Sequence, residues 1–460
     1  MADRIIRIHP ADNVGVNVAT GHKVALTNIS EGEDVIKYGF PIGHATKFIA
    51  EGDHVHTHNL KTNLKEKLKY VYDHKVFEQE KALGRTIKAY VRADGNIGIR
   101  NDIWIVNTVG CVNKAAEAIS RRTGAFFFLH PYGCSQLGGD HEITQKILKG
   151  LIKHPNAGGV LVLGLGCENN NIGVFKEVLG PVDEKRVRFL NAQDTTDEIE
   201  EGVRIVEELK EIALKDERQE VPVSKLKVGL KCGGSDGFSG LTANPLIGQF
   251  SDYLIAEGGS TVLTEVPEMF GAETILMDRC TDESIFNRTV ALINDFKDYF
   301  TRHGQEIYEN PSPGNKAGGI TTLEEKSLGC TQKGGRAQVT DVLTYGDVVT
   351  KPGLNLLNGP GNDMVAVTNL TVAGCHLILF STGRGTPLGA PVPTVKVGTN
   401  SRLAEKKKNW IDFNAGPMLE GEDLKQQFID FVFKVAEGEP TANERNGYRE
   451  IAIFKDGVTL

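Results

Sequence analysis

No apolar run in this chain approaches the roughly 20 residues that a membrane helix needs. The opening residues, Met1-Ala2-Asp3-Arg4-Ile5-Ile6-Arg7, carry no signal-peptide apolar core. Cysteine is scarce, with seven in 460 residues. An odd count at that density argues against a disulfide framework and for a reducing cytoplasm. No Cys-x-x-Cys is present, so neither a zinc ribbon nor a local ferredoxin-type cluster is indicated. There is no Walker lysine motif. The segment Gly164-Leu165-Gly166-Cys167-Glu168-Asn169 lacks the third glycine of the dinucleotide fingerprint, which weakens an NAD oxidoreductase reading. Basic excess is also missing. The net charge is −8, so nonspecific nucleic-acid binding is disfavoured, and an acidic substrate must meet locally placed cations. No repeat of short fixed period occurs.

What is present fits a soluble chain of two or three domains, 40% apolar and 24% charged. The stretch Leu226–Gly240 organises it. Val228 to Leu230 reads as a short buried strand that runs into a loop holding Cys232, Ser235 and Asp236 among glycines. Asn244 then suits a helix N-cap and Pro245 the first turn. Strand, glycine loop and helix in succession present polar groups at a strand's carboxyl end. The pattern recurs at Cys111, Cys134 and Cys167, each after an apolar strand and a glycine. Six of the seven cysteines adjoin a glycine. This suggests thiols converging on a site, although small residues also simply suit tight turns.

Residues 1–60 read as a β-module, with strands expected at Arg4–His9, Val14–Val18, Lys23–Asn28, Val35–Tyr38 and His44–Ile49. His54, His56 and His58 would share one strand face, a metal-binding pattern or a solvated edge. His22 is a further candidate ligand. Residues 61–86 are polar and read as a linker or arm. Residues 87–222 alternate strand and helix, with helical faces over His141–His154 and Glu198–Lys215. Residues 223–460 form a second α/β region with glycine-rich loops. The expected fold class is therefore α/β with mostly parallel sheets behind a small β-module.

These groups suit the dehydration of a hydroxy acid. That reaction removes a proton α to a carboxylate and expels a β-hydroxyl, which calls for a base, an acid, a carboxylate clamp and a divalent metal. Glu168, Asp236, Glu265 and Glu268 lie near strand ends and could act as bases or hard ligands. His130, His141 and His56 could supply the acid. Ser235, Asn244, Thr382 and Arg384 could cradle the carboxylate, the last two from Ser381-Thr382-Gly383-Arg384-Gly385 at a strand end. Cys134, Cys167, Cys232 and His22 are the candidate metal ligands, and cysteine ligation favours iron over magnesium.

Long strings resemble the altronate/galactarate dehydratase family over nearly the whole chain. They include Gly95–Asn101, Thr108–Asn113, Tyr132–Leu137, Gly164–Asn170, Cys232–Pro245, Thr264–Glu273, Glu309–Gly319, Ser327–Lys333 and Phe380–Pro387. The ending, Ile453 to Leu460, looks like the altronate-acting branch. The resemblance implies a β-clip module of the SAF type at residues 1–60. It implies conversion of D-altronate to 2-dehydro-3-deoxy-D-gluconate and water, with Fe²⁺ or Mn²⁺ as cofactor. The implied setting is hexuronate breakdown in a bacterial cytoplasm. The connection at Ala19–His22 is shorter than the family pattern. Galactarate dehydration, sulfolactate lysis and a non-catalytic sugar-acid binder stay open beside this reading. A homo-oligomer is compatible with it, and neither nucleic acid nor membrane is expected as a partner.

Overall fold

The structure, a computed structural model, describes residues 4–64, 68–307 and 310–457. Glu309 and Val458–Leu460, parts of the family strings, lie outside the described residues. The N-terminal module consists of two small sheets. One orders Ile5–Ile6, Val14–Asn17, Lys23–Ala25 and His54–Val55, and the other Asp34–Lys37, Phe40–Ala45 and Leu60–Lys61. The strand expected at His44–Ile49 begins earlier, because the Tyr38-Gly39 turn folds Phe40 straight back onto Lys37. Val14, Ile29, Val35, Ile42, Ile49 and Val55 make its core, and that core is shared with Ala272 and Leu328 of the C-terminal region.

An ion triad fixes the docking. Lys23 Nζ and Lys37 Nζ each lie 2.7 Å from one oxygen of Glu325, and all three side chains are buried. Beyond the module the described residues 62–64 and 68–85 contain no helix or strand. They run along the C-terminal region, where Tyr70 donates to Glu273 and Tyr72 Oη donates to the Cys280 carbonyl at 2.7 Å.

The middle region is a parallel four-stranded sheet in the order Phe126–Phe128, Asp102–Asn107, Ala157–Gly164, Val187–Asn191. Helices Asn113–Thr123, Gly138–Ile152, Ile172–Leu179 and Glu198–Ala213 cross it over. Asp197 caps the last of these by accepting from the amides of Ile199 and Glu200.

The C-terminal region carries seven parallel strands. Their order is Val339–Leu343, Gly353–Leu357, Ser260–Leu263, Lys227–Cys232, Leu377–Thr382, Thr394–Gly398, Phe413–Asn414. Strands covered on both faces read as near-continuous apolar runs, as Leu377-Ile378-Leu379-Phe380 does here. Helix Asp363–Val372 lies between this sheet and the middle region's helix Gly138–Ile152, with Val372 against Gly150. Among the described residues no helix is long and apolar enough to cross a membrane.

Candidate active site

The chain leaves strand Lys227–Cys232 toward one side of the seven-stranded sheet and later returns at Leu377–Thr382 on the other side. Such a reversal opens a crevice at the carboxyl ends of the two strands. The loop Gly233–Gly237 fills that opening. Its residues must be small because other elements press against it. A Cβ on Gly233 would meet both Asp363 oxygens and one on Gly234 would meet Thr382 Oγ1. A Cβ on Gly237 would lie 1.8 Å from the carbonyl oxygen of Gly21. The β-module's Gly21-His22 turn is thus seated on this loop. The module lies over the crevice, and several surface grooves are elsewhere. One of 470 Å³ is lined by Glu80, Asp252, Gln332, Arg336 and Lys425 and contains none of the candidate residues.

At the rim, four histidines gather. His22 Nδ1 lies 3.1 Å from His54 Nε2. The ring centroids of His22, His54 and His56 are 5.1 to 5.6 Å apart pairwise, and His58 stands 5.5 Å from His54. Only His54 is in a strand, and the turn after Val55 swings His56 inward, where its Nε2 lies 2.9 Å from the Lys316 carbonyl. Burial lowers the pKa of both His54 and His56, which favours their neutral forms. A nitrogen separation near 3 Å is what two ligands of one divalent ion with bonds of about 2.1 Å require. The His22–His54 pair has that separation, although His22, His54 and His56 do not all close to within 4.8 Å of one another, and imidazole donors of this kind suit iron.

Beneath the loop is a buried ionic network that sequence reading largely missed. Lys231 is fully buried, pairs with Glu265, and lies 2.7 Å from Asp363 Oδ1. Lys333 Nζ lies 2.8 Å from Cys232 Sγ, and Lys326 Nζ lies 2.7 Å from Glu268 Oε1. Burial and the neighbouring Glu268 raise the pKa of Glu265. Burial would raise Glu268 as well, but Lys326, Lys231 and Lys333 outweigh it and hold that carboxyl below the ordinary range. Glu265 has the left-handed backbone, φ +68°, uncommon for a side-chain-bearing residue. Its contacts to Lys231, Lys333 and the Cys232 amide hold it there. Asp363, with its side chain 35% exposed, is where the network reaches the crevice.

Cys232 Sγ, Cys330 Sγ and a Glu268 oxygen close to within 4.8 Å of one another. They do not fit a metal. Three lysine ammonium groups already compensate this charge in the buried space, and a divalent ion would have to displace them. Cys330 is also pushed well above the ordinary thiol range, by its contact with Cys232 and by burial, and donates to Glu268.

The expected residues therefore separate into groups. Cys232, Glu265, Glu268, Ser235, Asp236, Thr382 and Arg384 come together around the crevice with His22 and His56. The contacts bear on six of the assigned roles. Asp236 is not free to act as a base, because Thr399, Asn400, Ser239 and the Phe238 amide all donate to its carboxylate. Asn244 is neither N-cap nor ligand contact. The helix starts at Ala243, and the buried Asn244 amide is engaged by the Gly329 carbonyl and the Ser381 hydroxyl. Cys134 and Cys167 are exposed at the carboxyl edge of the middle sheet and share no ligand group with Cys232. Glu168 is on that edge too, accepting from Thr108 and from the Leu165 and Gly166 amides. His141 lies in the first turn of helix Gly138–Ile152, its Nδ1 buried without a partner among the described residues.

Ser235 holds its place through its carbonyl, which accepts from Asn315. Thr382 Oγ1 accepts from the Gly385 amide at 2.9 Å and ties down the turn that presents the exposed Arg384. His130 is buried, with Nε2 2.9 Å from the Asn107 carbonyl.

Three family models match in order along the chain. The altronate/galactarate dehydratase SAF domain matches residues 16–63, the second domain of D-galactarate dehydratase/altronate hydrolase matches 89–213, and the C-terminal D-galactarate/altronate dehydratase model matches 223–459. The chain belongs to the altronate/galactarate dehydratase family. Its fold is accordingly an SAF module followed by α/β regions with a seven-stranded parallel sheet. An altronate dehydratase of Escherichia coli (strain K12) is 53% identical over 99% of this chain and 99% of its own length. One of Bacillus subtilis (strain 168) is 56% identical over 96% of this chain and 93% of its own length. The galactarate dehydratase (L-threo-forming) of Escherichia coli (strain K12) is 29% identical over 98% of this chain and 96% of its own length.

Proposed function

We propose that this chain is a metal-dependent hydro-lyase that converts D-altronate to 2-dehydro-3-deoxy-D-gluconate and water in cytoplasmic hexuronate breakdown. The observation that carries the reading is identity of 53% and 56%, over nearly whole lengths, to two altronate dehydratases. Galactarate is the weaker alternative, since the relative named for it is 29% identical.

His22, His54 and His56 would hold Fe²⁺ or Mn²⁺. When bound, the ion supplies positive charge against the enediolate that forms as the α-proton leaves. The chain's own groups do the rest. Arg384, held by its Nη1 on the Gly314 carbonyl, receives the substrate carboxylate. Asp363, oriented by Lys231 at 2.7 Å, takes the proton from C2. The hydroxyl on C3 departs as water with the proton that Asp363 took from C2, and the resulting enol tautomerises to the 2-keto acid. The buried Lys231–Glu265–Lys333–Glu268–Lys326 network keeps Asp363 and the glycine loop fixed. The seated β-module limits the water that reaches the crevice.

A substrate panel tests the assignment. Purified protein supplied with Fe²⁺ or Mn²⁺ should form 2-keto-3-deoxy acid from altronate with a higher kcat/KM than from galactarate. Preference for galactarate, or turnover of neither, would overturn it.

A further inference from the structure

Three of the seven cysteines share one place on the middle region. Cys111, Cys134 and Cys167 follow strands Asp102–Asn107, Phe126–Phe128 and Ala157–Gly164, which are adjacent and parallel, so their carboxyl ends point the same way. The loops that carry them mesh. The Gly110 amide donates to the Tyr132 carbonyl at 2.9 Å, and the Asn170 amide donates to the Gly133 carbonyl at 3.0 Å. The Ser135 amide donates to Asn169 Oδ1 at 2.9 Å, and the Thr108 hydroxyl to Glu168 at 2.6 Å. Each cysteine thus lies within three residues of a bond between loops.

The glycine before each cysteine permits this crowding. A Cβ on Gly133 would lie 2.0 Å from the Thr108 carbonyl oxygen, and one on Gly110 would lie 2.7 Å from that of His130. All three thiols are exposed, whereas Cys232, Cys280, Cys330 and Cys375 are buried. Exposed thiols grouped in this way are an oxidation liability unless something ligates them. Gln193 Nε2, at 3.5 Å from Cys167 Sγ, already offers a hydrogen bond of the kind that tunes a ligating sulfur. At the same edge the fully buried Asn107 leaves Oδ1 without a partner among the described residues.

One metal ion needs its ligand atoms mutually close, and these three sulfurs are not among those that close to within 4.8 Å. An iron–sulfur cube, whose thiolates bind different irons, accepts a wider set. We propose that Cys111, Cys134 and Cys167 together hold a [4Fe–4S] cluster whose fourth iron is open to solvent. This inference does not rest on the altronate reading. It concerns a second site on the middle region, separate from the histidines.

The test uses full-length protein purified without oxygen and reconstituted with ferrous iron and sulfide. About four acid-labile sulfides per chain are expected, with a broad visible charge-transfer absorption that bleaches on dithionite reduction. Cys111→Ser, Cys134→Ser and Cys167→Ser should each remove the sulfide and the absorption while leaving the thermal melt of the apo-protein in place. Cys280→Ser and His54→Ala should retain them. Absence of labile sulfide in the reconstituted wild type, sulfide retained in the triple variant, or a sulfide-free single ion bound by the three thiols would each overturn the proposal.

Discussion

His22 Nδ1 stands 3.1 Å from His54 Nε2, bringing a turn of the β-module and its last described histidine strand to one point above the C-terminal crevice. At that separation one ring N–H donates to the other ring, or both nitrogens face one cation. Removing either should cost at least roughly 100-fold in affinity for Fe²⁺ or Mn²⁺, since even partners behind the ligands contribute 10–100-fold. Calorimetric titration of His22→Ala and His54→Ala with Mn²⁺ checks this. Unchanged affinity in both would remove the histidines from the metal site.

Glu325 bridges Lys23 and Lys37 in a buried triad. Glu325→Gln leaves two buried ammonium groups without a counter-charge and should cost about 3–5 kcal/mol. Urea unfolding is the measurement. Because the triad seats the module, limited proteolysis should also release the first 60 or so residues of the variant earlier than in the wild type. Wild-type stability and cleavage would show that docking does not depend on it.

The same triad sets a pH dependence. Burial alone would raise the Glu325 carboxyl, but Lys23 and Lys37 outweigh it and bring it to about 2, below the ordinary 4.5. The folded state therefore binds that proton less tightly than the unfolded chain does. The stabilisation is complete above pH 4.5 and is lost as pH falls from there toward 2. Melting temperatures across that window should fall more steeply in the wild type than in Glu325→Gln. Parallel profiles would contradict the assignment.

Asp236 and Cys232 are both engaged by protein groups, Asp236 by Thr399 and Asn400 and Cys232 by Lys333. Asp236→Asn should lower the melting temperature together with kcat, because the amide NH2 that replaces Oδ2 cannot accept from Thr399 and Asn400. Thr399→Val should reproduce part of both effects. A base would instead lose kcat with an unchanged melt. Cys232→Ala should leave the bound Mn²⁺ stoichiometry as in the wild type, since Lys333 and not a metal is the partner of its sulfur. Loss of one Mn²⁺ per chain would reverse that view.

The strand–glycine-loop–helix at Leu226–Gly240 was legible because apolar runs, glycines and a helical period are local signals. The crevice it opens is the one the switch in strand order creates. The histidine row was legible as a pattern but not as a geometry. His56 reaches inward through a turn after Val55, and His22 joins from a strand connection 32 residues away. Burial was harder to read. Lys231 looks like a solvated lysine until Glu265, just past strand Ser260–Leu263, and Asp363, opening helix Asp363–Val372, arrive beside it. A lysine inside an otherwise apolar parallel strand was the available signal, and Lys396 repeats it. Glu168 and Asp236 were overread for one reason. A carboxylate in a glycine loop serves the loop's own amides and hydroxyls as readily as it serves chemistry.

The most direct test of the central claim is anaerobic turnover of altronate after chelation, with Fe²⁺, Mn²⁺, Mg²⁺ or nothing added back, in wild type and in His22→Ala. The account predicts 2-keto-3-deoxy acid from the wild type with Fe²⁺ or Mn²⁺, little without them, and a loss in His22→Ala that excess metal partly restores. Full turnover by the chelated wild type, or by His22→Ala without added metal, would contradict it.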